Sequence, residues 1–345
     1  MKIKLKPIDK QVVVITGATS GIGLTTARMA AEQGATLVLS ARNGQALKQL
    51  AQEFAADEVP VTTVTADVGK AEDVARIGQA AIDHFGRIDT WINNAGVSVF
   101  GRLEDVQPED HRRLFDTNFW GVVHGSLEAV RHLKGRGGAL INLGSEVSDR
   151  AVPLQGMYSA SKHAVKGFTD ALRMELEHDK APVSVTLIKP AAVDTLFALH
   201  AKNYMEREPT LPPPIYAPEI VARAILYAAQ HPKRDVFVGG AAKAFSVGGF
   251  HMPSLMDRYM SKAMFKQQKS EMPTRSDRPD ALHGFDAGQE LKQREGMSYK
   301  VVERCPYTAV SLRSKPVMAA LLGGSALYAV WSWGRKDQRQ GLSGR

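Results

Sequence analysis

Over the first 240 residues, short runs rich in β-branched side chains alternate with longer stretches of helical period. No other feature restricts the fold as much. The strand-like runs are Val12–Ile15, Thr36–Leu39, Val61–Val64, Ile88–Ile92, Ala139–Leu143, Val183–Ile188 and Asp235–Val238. Between them lie the helical stretches Gly21–Gln33, Gly44–Ala56, Ala71–Phe85, Pro108–Leu133, Met157–His178 and Pro218–Gln230. Strands separated by helices at this spacing pair in parallel through right-handed crossovers, which predicts an α/β, doubly wound, seven-stranded parallel sheet with helices on both faces. That is one domain, residues 1–260, although a length of 345 residues alone would suggest two.

Beyond it the pattern changes. Residues 261–315 are polar, carry Pro273, Pro279 and Pro306, and read as a weakly ordered linker. Residues 316–334 are a candidate membrane-associated helix, and 335–345 a basic tail. The charge follows this division: the net charge of +8 is made up of +1 in residues 1–260 and +7 in 261–345. A near-neutral body argues against nucleic acid as a partner, since that reading requires basic groups clustered on the folded domain. The single cysteine, Cys305, excludes an intrachain disulfide. The basic N-terminus runs directly into Val12–Ile15, too short for a signal-peptide core, so it reads as the first strand of a body facing the cytoplasm. No metal site is expected.

Directly after the first strand comes Thr16-Gly17-Ala18-Thr19-Ser20-Gly21-Ile22-Gly23, a turn that opens a helix. A helix N-terminus offers unpaired N–H groups and the positive end of the dipole, and glycines let a pyrophosphate approach the backbone. The spacing is G-x-x-x-G-x-G, a departure from the common dinucleotide fingerprint. The second strand ends in Ser40-Ala41-Arg42, with no acid for an adenosine ribose 2′-hydroxyl. An arginine there suits a 2′-phosphate, which points to NADP(H), with Ser40 as a second contact.

Tyr158 and Lys162 stand four residues apart at the start of a long helical stretch, so they share a helix face. A neighbouring cation favours phenolate and brings a phenol toward the working pH range. Ser145 closes the strand Ala139–Leu143, and Asn93-Asn94-Ala95-Gly96 closes Ile88–Ile92. Both are carboxyl ends of parallel strands, where doubly wound folds place their ligands. Asn118 sits inside a helical stretch, where an amide is a mild liability.

Together these residues resemble the short-chain dehydrogenase/reductase family. The matches are Thr16–Gly23, Asp67, Asn93–Gly96, Asn118, Ser145, Tyr158 with Lys162, and Pro190–Thr195, in order over about residues 10–240. The resemblance implies a Rossmann-type fold and an NADP(H)-dependent oxidoreductase that interconverts a carbonyl and an alcohol. It implies that Tyr158 exchanges a proton with the substrate oxygen, that Ser145 hydrogen-bonds that oxygen, and that Asn118 holds a water in a proton relay. Lys162 would lower the Tyr158 pKa and bind the nicotinamide ribose. Gly17, Thr19, Ser20, Gly21, Ile22 and Gly23 would form the phosphate turn. Asp67 and Val68 would border adenine, Asn94, Ala95 and Gly96 would line the adenosine ribose, and Val193 with Thr195 would contact the carboxamide. Ala191 stands where the family usually has glycine, which places a methyl group near the nicotinamide. A non-catalytic NADP-sensing or scaffold protein is the alternative, and it has no physical need for all four of Ser145, Tyr158, Lys162 and Asn118.

Val152, Pro153, Leu154 and Met157, with the stripe Leu196 to Pro218, lean toward a lipophilic small-molecule substrate. The stripe reads equally as a lid or as helix packed on the body. The resemblance implies a homo-oligomer formed through the helices around Asn118 and Tyr158. Residues 317–333 are seventeen without a charge, flanked by Arg313 and Lys315 before and Arg335, Lys336 and Arg339 after. At about 1.5 Å per residue they span about 25 Å, slightly under a hydrocarbon core of about 30 Å. Tyr328, Trp331 and Trp333 gather at one end, as at a bilayer interface. A membrane anchor and a helix packed on the body or a partner subunit are both open readings.

Overall fold

The computed structural model describes residues 3–313 apart from 287, 289 and 297–299. Seven strands, β1 (Val12–Thr16), β2 (Thr36–Ala41), β3 (Val61–Thr65), β4 (Thr90–Asn93), β5 (Gly138–Leu143), β6 (Val183–Pro190) and β7 (Asp235–Val238), form one sheet. Their order is β7-β6-β5-β4-β1-β2-β3, every neighbour parallel. β1 is covered on both faces, which is why it reads as an unbroken apolar run. Val12 and Val14 enter the core beneath α3 (Ala71–Phe85), α5 (Gly121–Leu133) and α6 (Gly156–His178), where Val74, Ile77, Leu133 and Leu172 meet Trp91. Val13 and Ile15, also fully buried, point to the other face. There α1 (Gly21–Glu32) packs on α8 (Pro218–Gln230).

Helix boundaries follow local chemistry. Asn43 caps α2 (Gly44–Ala56), its Oδ1 accepting from the N–H groups of Gln45 and Ala46, each at 3.1 Å. Gly86, at φ +70°, closes α3 by donating its N–H to the Ile82 carbonyl at 2.8 Å. The stretch read as one helix over Pro108–Leu133 is broken: α4 (Pro108–Phe115) passes through a π-turn, Asp116–Trp120, before α5 begins. Such turns widen a helix and gather at functional sites. Asn118 lies in this one.

Because the strand order reverses between β1 and β4, their carboxyl ends separate the loops that follow and leave a crevice. The segment after β6 carries the short helix α7 (Phe197–His200) and is stitched to Ile215–Tyr216, where Tyr216 N–H donates to Ala192 O and Asp194 N–H to Tyr216 O, both at 2.9 Å.

After β7 the chain forms two helices, α9 (Gly240–His251) and α10 (Pro253–Gln267). The expected linker differs from its reading: where described, it is built onto the body. Lys269–Pro273 pairs with Arg207–Pro209, Val301–Val302 pairs with Ile215–Tyr216, and Leu282 is fully buried. Its anchors are mostly arginines and backbone groups, a kind of attachment that leaves no hydrophobic period to read. One compact unit ends at Cys305, and a second begins at Pro306 with the helix Pro306–Arg313. Among the described residues no helix is long and apolar enough to cross a membrane, and the candidate anchor 316–334 lies outside them.

Candidate active site

The chain leaves β1 at Thr16 and turns sharply into α1. Gly17 has φ +67°, and a Cβ there would lie 2.8 Å from the Ala95 Cα. A Cβ on Gly23 would collide with the Gly17 carbonyl and come 2.5 Å from Asn94 Nδ2. Both glycines are therefore needed to let the end of β4 lie against the turn. Asn94 Nδ2 donates to the carbonyls of Thr16 at 2.9 Å and Gly17 at 3.1 Å, and the N–H groups of Asn94 and Ala95 donate to Thr16 Oγ1 at 3.1 and 3.2 Å. These two residues brace the turn from beneath. Ser20, at the N-cap of α1, makes no side-chain cap.

Above the turn is a cleft of about 200 Å³, lined by Thr19, Ser40, Arg42, Asp67 and Val68 among others. The Ser40 hydroxyl is buried without a partner. A glycine cradle, a helix N-terminus and an orphaned hydroxyl fit the adenosine half and pyrophosphate of a nicotinamide dinucleotide. Arg42 lies in the cleft but is engaged: Nη1 donates to Leu282 O at 3.3 Å and Nη2 to Ala281 O at 2.6 Å. Asp67 is engaged as well, accepting from Gly69 N–H at 3.0 Å and from Arg113 at 2.7 Å.

A second cavity, of about 300 Å³, shares Ile22, Asn94, Gly96, Thr195 and Phe197 with the first as a common wall. Ser145, Tyr158 and Lys162 meet here. Ser145 caps a 3₁₀ turn, accepting from Val147 N–H at 3.3 Å, while Ser148 Oγ accepts from its backbone N–H at 3.1 Å. That reciprocal box fixes the serine, whose side chain lines the cavity with the Tyr158 hydroxyl. Tyr158 lies in the first turn of α6 with its ring 5.2 Å from that of Phe197. One turn later Lys162 Nζ is 5.7 Å from the Tyr158 ring centroid and donates to the Leu143 carbonyl at 2.9 Å.

Burial dominates the electrostatics. It pushes the Tyr158 phenol well above its ordinary value; the neighbouring Ser145 hydroxyl opposes this and the Glu146 carboxyl adds to it. Burial lowers the Lys162 ammonium to about 8. The expectation that Lys162 brings the phenol down therefore differs from the observed geometry, in which Nζ is turned to a backbone carbonyl.

Asn118 is fully buried, and its side chain is committed to Val97: Oδ1 accepts from Val97 N–H at 2.8 Å and Nδ2 donates to Val97 O at 2.9 Å. A relay water would thus have to use the backbone of the π-turn, since the side-chain amide is taken. The position remains at the site, for a Cβ on Gly96 would lie 3.4 Å from Asn118 Oδ1 and 3.9 Å from Lys162 Nζ. Ala191 donates its N–H to Val238 O at 3.0 Å and is not among the residues with positive φ, so no glycine-only conformation is forced on it. Val193 bridges to Tyr216, and Thr195 stands over the turn, 3.2 Å from where a Gly21 Cβ would be.

Three features escaped the sequence reading. Glu146 lines the second cavity beside Ser145, its carboxyl raised to about 7 by burial. An acid adjoining the serine in sequence was its only signal. Arg113 ties Asp67 to the Leu282 carbonyl, the latter at 3.1 Å. Ala281, Phe285 and Glu290 line the coenzyme cleft from far along the chain, with nothing in the composition around them to announce it.

The fold and this pair of joined cavities define a nicotinamide-dinucleotide oxidoreductase, and comparison with known proteins gives the family. The short chain dehydrogenase family model matches residues 11–204. The chain is 49% identical over 331 residues, 95% of its own length and 92% of the relative's, to the uncharacterized oxidoreductase YxnA of Bacillus subtilis. Among solved structures it is similar to a short-chain dehydrogenase/reductase from Burkholderia phymatum in complex with NAD, at 26% identity and TM-score 0.66, covering 73% of this chain and 97% of that one. It is also similar to a short-chain dehydrogenase from Burkholderia cenocepacia in complex with NADP, at 28% identity and TM-score 0.62, covering 74% and 99%. The chain belongs to the short-chain dehydrogenase/reductase family and is an NAD(P)-dependent oxidoreductase.

Proposed function

We propose that the protein interconverts a carbonyl and an alcohol on a lipophilic small molecule, using NADP(H). The observation that carries this reading is the meeting of Ser145, Tyr158 and Lys162, the last two one helical turn apart, at the wall of a largely apolar cavity. In it Tyr158 is the general acid/base, Ser145 polarises the substrate oxygen, and Lys162 orients the nicotinamide ribose. A bound nicotinamide supplies the hydride; the chain's residues place the carbonyl and move the proton.

Val147, Val152, Phe197, Leu211 and Phe245 give the cavity its apolar lining. NADP(H) is preferred because β2 ends without an acid and Arg42 brings a permanent positive charge to the cleft. A homo-oligomer is part of the reading, supported by exposed Trp120 and Leu127 in the π-turn and α5 and Met174 on α6. So is membrane contact on the cytoplasmic side through 316–334, which rests on the sequence alone. The test is NADPH oxidation over carbonyl compounds graded by size and polarity. Faster turnover of bulky apolar carbonyls supports the reading, and faster turnover of small polar ones refutes it.

A further inference from the structure

The coenzyme cleft has a wall that does not come from the dehydrogenase fold. The family match ends at residue 204, yet Ala281, Phe285 and Glu290 line the cleft opposite Ser40 and Arg42. This segment is pinned on both sides. Upstream, Ala281 N–H donates to His200 O at 2.8 Å, and Arg278 donates to the carbonyls of Ala198 and Leu199 at 2.6 and 2.9 Å. Downstream, Arg294 joins Glu219 at 2.6 Å and Glu303 at 2.7 Å, and Val301–Val302 pairs with Ile215–Tyr216.

Between these anchors residues 290–292 lie at the mouth of the glycine turn. Leu291 N–H donates to Thr19 O at 2.8 Å and Gly21 N–H donates to Lys292 O at 2.9 Å. Leu291 adopts φ +59° at this contact, a conformation a leucine takes only where its surroundings impose it. Two guanidinium groups hold the other end, since Arg42 and Arg113 both donate to Leu282 O. Glu290 shares the cleft wall with Thr19 and Asn43, and one of its carboxyl oxygens, Oε2, is buried without a partner.

We propose that residues 281–286 and 290–292 form a coenzyme-binding strap: they complete the adenosine side of the cleft, contact the bound dinucleotide through Phe285 and Glu290, and must loosen for it to enter or leave. This rests on the reading of the cleft as the coenzyme site. The strap replaces solvent over the cleft with a ring and a carboxyl, and its backbone occupies one N–H of the helix N-terminus that would otherwise face water. Arg42, held by neutral carbonyls, is oriented toward the cleft before coenzyme arrives. A 2′-phosphate would compete for it with a stronger, charge-assisted bond.

Hydrogen exchange on the full chain, with and without saturating NADPH, tests the strap directly. Amides in 281–286 and 290–292 should exchange about tenfold more slowly with coenzyme, alongside those of 17–23. Phe285→Ala and Glu290→Ala should each release NADPH about tenfold faster in stopped-flow fluorescence, with unchanged thermal unfolding. Protection confined to 17–23, or release rates equal to those of the natural chain, overturns the strap and leaves the coenzyme reading standing. No protection in either segment overturns both.

Discussion

The two cavities share a wall and differ in how their polar groups are held. In the coenzyme cleft the frame is braced, for Asn94 holds the turn, Arg113 neutralises Asp67 and Arg42 grips backbone carbonyls, while Ser40, Thr117, His200 and Glu290 each keep a buried polar atom without a partner. In the substrate cavity the ionisable groups are displaced from their ordinary values by burial, with Lys162 at about 8 and Glu146 at about 7. The first region is built for affinity, where a ligand enters a braced frame and can meet the polar atoms that the frame leaves open. The second holds groups whose protonation is poorly stabilised until substrate and coenzyme arrive, as proton transfer requires.

Removing one function on each side should separate the two. Tyr158→Phe deletes the proton carrier while keeping the ring against Phe197, so kcat should fall by about 10²–10⁴-fold. NADPH binding, followed by fluorescence titration, should change by no more than about twofold; intact turnover would end the assignment of Tyr158. Gly23→Ala acts on the other side. Its methyl group meets the Gly17 carbonyl, and relieving that contact costs about 1–3 kcal/mol. NADPH affinity measured by calorimetry should drop about 10–100-fold, and the Ser145–Tyr158 pair should be untouched.

A smaller effect should come from Arg42→Glu. With NADP(H) preferred, the ratio of kcat/KM for NADPH over NADH should fall by about tenfold or more, one charge-assisted contact being worth about 1.5–3 kcal/mol. Equal ratios in the two proteins would show that the strap carbonyls, and not a phosphate, are what Arg42 serves.

The same division explains what was legible in the sequence. The sheet was readable because parallel strands buried on both faces must be continuous apolar runs, and all seven appear near their expected places. The turn and the Ser145–Tyr158–Lys162 grouping were readable because their chemistry requires particular residues at fixed spacings. Contacts made by long polar side chains across large sequence separations have no such signature. Arg42 to Ala281, Arg113 to Leu282 and Arg294 to Glu219 turn a segment that reads as linker into part of the cleft. Asn118 shows the subtler limit: its presence was readable, but not that its amide would be spent on Val97.

The smallest effect concerns Glu146 and is read in stability against pH. Its carboxyl titrates near 4.5 when unfolded and at about 7 when folded, so between those values the folded chain holds a proton that the unfolded chain has lost. Stability from this group is therefore complete below about pH 4.5 and is lost as the pH rises through 7, by on the order of 1 kcal/mol per pH unit at most. Lys162 acts in the opposite sense. Lowered from 10.5 to about 8, it gives stability that is present above 10.5 and lost as the pH falls through 8. The two together place a trough in stability between about pH 7 and 8. Urea unfolding of Glu146→Gln from pH 4 to 10 should remove the acid-side decline and keep the rise above pH 8. An unchanged acid limb would mean that Glu146 is solvated, and the substrate cavity would then be no different in kind from the cleft beside it.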